Sequence, residues 1–385
     1  MSPSVSPRLP WVDHLRTFAI VLVVNMHACV TYSHVGSWYY MSNHEPSLAA
    51  KIPFILWQAH LQSFFMGLLF FVAGYFAHGS LARRGSGSFV KERLFRLGLP
   101  TLLYMLVIHP FILLGLNPWR AQFGPSPAYY ANFVRTGRFI GSNGPMWFAF
   151  ALLVFCLILA VWRIVGPAAK SPADTSSPSR SGAPTLGELW IFAGALGLIT
   201  FAVRLVQPLG TNVLNMQLCY FPQYIAFFAA GVVSARRGWF LGLAASPQAR
   251  LSGWIALVGG PIVLSVLLVA GIKAGETGVF DGGWHWQAFG LAVWEQLTGC
   301  GLALGVLALF SRRMNRENAA LRWLSDRSFA VYVLHPPVLV ALTMAYRTLP
   351  QDPILLAALL TVTGLAVSFI LADAARRTPG LRAIL

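Results

Sequence analysis

Two side chains in the stretch WVDHLRTFAIVLVVNMHACV, residues 11–30, have the type and spacing for chemistry: Arg16 and His27. They are eleven residues apart, and at about 100° per residue that interval returns to nearly the same helix face, roughly 16 Å further along the axis. One helix therefore points a guanidinium and an imidazole toward one lumen. An imidazole is a general base near neutral pH or a nucleophile that can carry an acyl group, and the spacing leaves both open. The run is apolar enough to cross a bilayer, where an ionisable group this deep marks a functional site by default. A core histidine bonded to a backbone carbonyl of a neighbouring helix is the plainer alternative. Asp13, three residues before Arg16, is placed to pair with it.

A second group lies in HGSLARRGSGSFVKERLFRLGLP, residues 78–100, where Arg83, Arg84, Lys91, Arg93 and Arg96 face one carboxylate, Glu92. Arg93 and Arg96 share a face if the segment is an α-helix, and planar guanidinium forks grip phosphate oxygens bidentately. A phosphate-bearing ligand and anionic lipid both fit such a loop, as does topology alone. Glu295 in WEQLTGC and Arg204 near the end of another apolar run are each costly alone in a membrane; they can pair with each other or serve the site, Glu295 by orienting His27 or binding an acceptor hydroxyl. Tyr332 and His335 lie three apart on one face of a late run, where interhelical hydrogen bonding is the simpler role. His109, followed by Pro110, marks a kink. Cys29, Cys156, Cys219 and Cys300 sit singly in apolar segments, and neither they nor the histidines form a ligand cluster, so neither a disulfide nor a metal site is expected.

The elements that position these groups are membrane spans. Hydrophobic residues make up 56% of the 385 and charged residues 10%, with a mean hydropathy of +0.63. A soluble domain has about 25% charged residues, so the chain is an integral membrane protein. Ten apolar stretches approach the 20 residues a span needs, near 14–34, 54–77, 98–116, 145–165, 187–206, 219–236, 251–271, 287–310, 328–346 and 354–373. The first ends with no clear small-residue cleavage site and reads as an uncleaved span. An all-α, polytopic fold of about ten transmembrane helices follows, as one domain over residues 1–385. On one side of this topology lie 21 of the 28 Lys and Arg residues, which makes both termini cytoplasmic. The net charge of +16 is therefore mainly orientation bias, scattered over short loops, and nucleic acid is not an expected partner. The outward loops 35–53, 117–144 and 272–286 are rich in Trp, Tyr and Gly, a composition that suits an interfacial belt and equally a sugar stacking on aromatic rings. Residues 167–186 form a Pro/Ser-rich, flexible cytoplasmic linker.

Five motifs in order complete the reading: Arg16-X10-His27, FFVAGYF at 70–76, RLFRLGLP at 93–100, PMWFAFALL at 145–153 and LSDRSFAVYVLHPP at 324–337. Together they resemble the acyltransferase 3 family of membrane-bound acyltransferases. The resemblance covers residues 11 to about 340, with Ala73 standing where the family more often has serine. It implies an enzyme of the bacterial inner membrane that moves an acyl group, of acetyl or succinyl type, from cytoplasmic acyl-coenzyme A to a hydroxyl at the outer face, commonly on a carbohydrate or glycan. It implies that His27 is the essential histidine, Arg16 the basic residue of the first helix, and Arg93 and Arg96 the cytoplasmic arginine pair; on charge alone, Lys91, Arg83 or Arg84 can help that pair hold the donor's phosphates. Tyr332 and His335 point inward in the same picture, and Arg204 joins them as a candidate substrate contact. Acyl-CoA is then a substrate, no cofactor is permanently bound, and the other partners are the glycan acceptor and membrane lipid. A transporter or flippase would line a lumen with the same charges, but internal inverted repeats, which would favour it, are not visible. A structural subunit that binds anionic lipid through its basic loops is a further alternative.

Overall fold

A computed structural model describes residues 9–116, 122, 126–166, 183–273, 277–350 and 352–385. The expected linker at 167–186 therefore lies largely outside the described residues, as do parts of the outward loops at 117–144 and 272–286. Among the described residues the chain is all-helical, and nine helical segments are long and apolar enough to cross a membrane.

Helix α1 spans Pro10–Ser33, with proline in its first turn, where the missing N–H has no intrahelical partner to lose. Its 24 residues extend about 36 Å, enough to cross the hydrocarbon core. It ends at His34, which turns left-handed (φ 58°) and caps the Val30 carbonyl. Helix α2 (Leu48–Arg93) starts from Ser47, whose hydroxyl caps the Ala50 N–H, and runs without a gap into α3 (residues 94–116). The joint segment Leu48–Leu116 has 69 residues, about 100 Å of helix, so the two stretches expected at 54–77 and 98–116 share one run with length for two crossings. It is broken at Gly85, whose φ of 74° and ψ of 165° are not helical.

In α3, π-helical turns at Leu94–Gly98, Tyr104–Ile108 and Phe111–Leu116 surround Pro100 and Pro110. Proline carries no N–H, so its carbonyl partner four residues back needs another donor. The Leu106 carbonyl, the one Pro110 would have bonded, accepts the Tyr130 hydroxyl from α4 (Ser126–Arg135) at 3.1 Å.

The remaining elements are α5 (Trp147–Val165), α6 (Leu186–Arg204), α7 (Phe221–Arg237), the short α8 (Trp239–Ala245), α9 (Pro247–Lys273), α10 (Trp286–Arg313), α11 (Ala319–Ala345), α12 (Pro353–Arg377) and α13 (Pro379–Ile384). Thr185 and Glu188 form a reciprocal capping box at the start of α6. Helix α1 is central and packs on α2, α10, α11 and α12. Polar side chains fix it there: Asn25 accepts from Trp57 on α2 (2.7 Å) and donates to Thr361 on α12 (3.2 Å), while Gln58 donates to Ser33 (2.9 Å). In hydrocarbon such bonds locate helices that apolar contact alone leaves free to slide. Helices α2 and α7 meet through Gly74 and Gly231, where a Cβ on either would run into the other helix's backbone. Helix α9 is peripheral and exposes Leu257, Val258, Ile262 and Val266, an apolar flank fitted to lipid tails.

Candidate active site

The bundle brings His27 of α1 and His335 of α11 together under a residue from the loop that follows α1. The His27 ring stacks on Trp38, with centroids 3.8 Å apart and planes 19° from parallel, and lies 5.4 Å from His335 at 18°. The Trp38 and His335 rings are 6.2 Å apart. Among the described residues the buried Nδ1 of His27 has no hydrogen-bond partner, and neither has Nε2 of His335. Buried nitrogens left open at the centre of a polar cluster mark where a substrate group or water is to bind.

The state of His335 follows from its neighbours in sequence. Pro336 cannot donate to the Tyr332 carbonyl, and His335 Nδ1 takes its place at 2.8 Å. Because that partner is a carbonyl, Nδ1 carries the proton, and Nε2 is left with its lone pair. Tyr332, whose ring is 6.2 Å from that of His335, donates its hydroxyl to the Pro145 carbonyl and so joins the motif at 324–337 to the one at 145–153. Both residues are buried.

Past the C-terminal end of α1, the Tyr39 hydroxyl is 2.9 Å from both the Tyr104 hydroxyl and His109 Nδ1. Tyr39 lies outside the spans, and burial pushes its phenol above the ordinary tyrosine range, so it stays protonated and available for hydrogen bonding at neutral pH. Gly144, at φ 47°, passes so close that a Cβ there would strike both tyrosine hydroxyls. Beyond this cluster a cavity of about 250 Å³ is lined by Tyr32, Ser42, His44, Ser47, Pro353 and Leu356.

Toward the N-terminal end of α1, Arg16 pairs with Asp13 at 3.7 Å and lies over the Phe76 ring at 4.7 Å. Arg93, near enough for its charge to be felt at Arg16, covers Phe89 at 5.0 Å and keeps a buried Nε without a partner. Arg96 is elsewhere: its side chain is 69% exposed and lies 3.6 Å from Glu92, which Arg84 also approaches at 3.5 Å. The shared face expected of Arg93 and Arg96 assumed α-helical winding. Arg93 immediately precedes the π-helical turn Leu94–Gly98 and Arg96 lies within it, and the wider winding rotates them apart. Lys91 is exposed.

Arg204 and Glu295 pair with each other at 2.7 Å, both buried, joining α6 to α10. Gln296 donates to the other Glu295 oxygen (3.0 Å) and accepts from Gln223, which also reaches the Ser63 carbonyl. Of the two arrangements the sequence left open, this is mutual pairing; no contact of Glu295 or Arg204 with His27 occurs among the described residues. The four cysteines are free and buried. Trp38, Tyr39 and Tyr104 were not singled out by sequence, nor was a site role for His109. The one available signal was the aromatic WYY in the loop at 35–53.

The family model described as "Acyltransferase domain" (Acyl_transf_3) matches residues 9–373. Proteins named "Glucans biosynthesis protein C" from Salmonella schwarzengrund (strain CVM19633), Salmonella typhi and Salmonella typhimurium (strain LT2) are each 24% identical over 346 residues, covering 88% of this chain and 84% of the relative. No solved structure matches. A helical, multi-pass chain whose paired histidines and the arginines Arg16 and Arg93 fall in the matched region thus belongs to the acyltransferase 3 family and is a membrane acyltransferase.

Proposed function

We propose that this protein is an O-acyltransferase of the bacterial inner membrane, taking an acetyl- or succinyl-type group from cytoplasmic acyl-CoA and placing it on a hydroxyl of a carbohydrate or glycan at the outer face. Both termini are then cytoplasmic. The observation that carries this reading is the arrangement along α1: two imidazoles, ring centroids 5.4 Å apart and each with an open nitrogen, at one level, and Arg16 with Arg93 at another. Arg16 and His27 are separated by about 16 Å of helix. The name of the glucan-biosynthesis relatives supports a glycan acceptor.

In this reading Arg93 and Arg16 hold the CoA phosphates at the inner mouth, and Arg96 and Lys91 add to the field that attracts them. The acyl arm extends along α1 to His27. His27 removes the proton from the acceptor hydroxyl as its oxygen bonds to the thioester carbonyl carbon; the carbon–sulfur bond then breaks and the proton passes to the leaving thiolate. General-base help of this kind contributes about 10²–10⁴-fold. His335 Nε2, with its lone pair, accepts a hydrogen bond from the acceptor and orients it. Tyr332 fixes His335 and the 145–153 segment together. Glu295 and Arg204 act one step removed, by holding α6 on α10.

The test uses purified protein with acetyl-CoA and succinyl-CoA. Thermal stabilisation by either, weakened by high salt and by Arg93→Ala, is expected. His27→Ala should lower transfer by at least about 10²-fold while leaving that stabilisation intact. The opposite pattern refutes the assignment, and glycan movement without thioester consumption identifies a transporter instead. Mass spectrometry of envelope glycans from cells with and without the protein names the acyl group and acceptor together.

A further inference from the structure

The reaction as proposed requires that a thioester beside His27 meet a hydroxyl acceptor and not water. What faces the outside at that point is Trp38. Its ring covers one face of the His27 imidazole at 3.8 Å, yet its indole N–H is buried without a partner among the described residues. Among the described residues, therefore, no side-chain hydrogen bond holds Trp38 in place. Its neighbour Tyr39 is held at its hydroxyl, by Tyr104 and by His109, both on α3. His109 is itself seated on Phe133 of α4, with rings 6.0 Å apart and nearly parallel.

The chain around this pair is built as a short tip on a fixed neck. The Ser42 N–H bonds the Thr31 carbonyl at 3.0 Å, His34 Nε2 meets the Ser42 hydroxyl at 3.1 Å, and the Val35 N–H bonds Ser33 at 3.1 Å. Tyr40 is buried against Ile112 and Val340. Between these anchors lie residues 36–39. Gly36 is exposed at φ 104°, a conformation that other residues rarely adopt, which makes it the natural pivot.

We propose that Trp38 is the outer lid of the reacting centre and that Tyr39, bonded to Tyr104 and His109, is the latch that keeps it shut until an acceptor enters. Tyr39 is a positioning residue; it acts on His27 only through Trp38. With the lid open and no acceptor present, water adds to the thioester carbonyl, the carbon–sulfur bond breaks, and the products are the free acid and the CoA thiol. Latching suppresses that loss. The proposal rests on the acyltransferase reading for its purpose, but not for its geometry.

Carbethoxylation of His27 by diethyl pyrocarbonate, followed by peptide mass spectrometry on the full-length protein in lipid nanodiscs, measures the cover without any substrate. Tyr39→Phe is expected to raise the His27 modification rate about tenfold, the factor that one to two lost hydrogen bonds correspond to. Trp38→Ala should raise it at least as much. Ser311→Ala, which removes a bond from the end of α10 to the Ala244 carbonyl of α8, should leave it unchanged. Should Tyr39→Phe lose its thermal transition, Gly144→Ala presses on the same two hydroxyls and must show the rise instead. An unchanged rate in Trp38→Ala removes the lid; a rise there with none in Tyr39→Phe or Gly144→Ala removes the latch. Acetyl-CoA hydrolysis without acceptor should rise in step with the labelling. If no variant consumes acetyl-CoA, the donor reading fails, while the labelling still decides the lid.

Discussion

Arg93 and Arg96 have identical side chains three residues apart, and their surroundings assign them different weights. Arg93 is half-buried beside Arg16 with an open Nε, whereas Arg96 is exposed against Glu92. A charge-assisted contact to phosphate in the first setting is worth about 1.5–3 kcal/mol, and one at an exposed site about 0.2–1 kcal/mol. Titration of the variants with acetyl-CoA by calorimetry should therefore show Arg93→Ala weakened by more than about tenfold and Arg96→Ala by less than about fivefold. Equal losses would place both arginines on the ligand. The Arg16–His27 interval suits a helical template because α1 is a single α-helix across both positions. The sequence alone missed the divergence of Arg93 and Arg96 because proline-bearing α3 opens into π turns that a 100° template does not describe.

Element-scale behaviour is clearest in α11, where the LHPP sequence trades helix regularity for a fixed imidazole. Pro336→Ala restores a backbone N–H for the Tyr332 carbonyl, the group that His335 now occupies. The helix should gain up to about 3 kcal/mol in thermal unfolding. Turnover should fall by about tenfold or more, since the displaced ring no longer holds its place. A variant gaining both stability and rate would mean that His335 orientation is irrelevant. In the α6–α10 pair, Glu295→Gln leaves a buried guanidinium without its counter-charge and should cost about 3–5 kcal/mol; replacing both partners by apolar residues should recover most of it. Loss of turnover with no thermal shift would instead place the Glu295 carboxylate in the chemistry. That these two pair was one of two arrangements open from sequence, since residues 91 positions apart have no periodicity to relate them. The Trp38 contact was illegible for a related reason: a loop residue's direction is set by turns at His34 and Gly36, not by a repeating pattern.

At the scale of the whole molecule, the apolar runs were legible because each must fill a bilayer with backbone bonded to itself. Their boundaries were less so at residues 48–116, where one helical run contains two expected spans and only Gly85 interrupts it. If that break is the inner turn, a reporter inserted at Gly85 and another fused to the C-terminus should both be active in the cytoplasm. A periplasmic readout at either point would reverse the topology. Helix α1 has a further consequence here. Arg16 and His27 ride on one unbroken rod, so in the proposed reaction the span from anionic headpiece to reacting carbonyl is a fixed gauge against which the acyl carrier is measured. A truncated thioester that keeps the acyl group but lacks the nucleotide, or one with a shortened arm, would be anchored or reactive but not both. Selectivity for the carrier would then come from length, independently of how the acyl group itself is recognised.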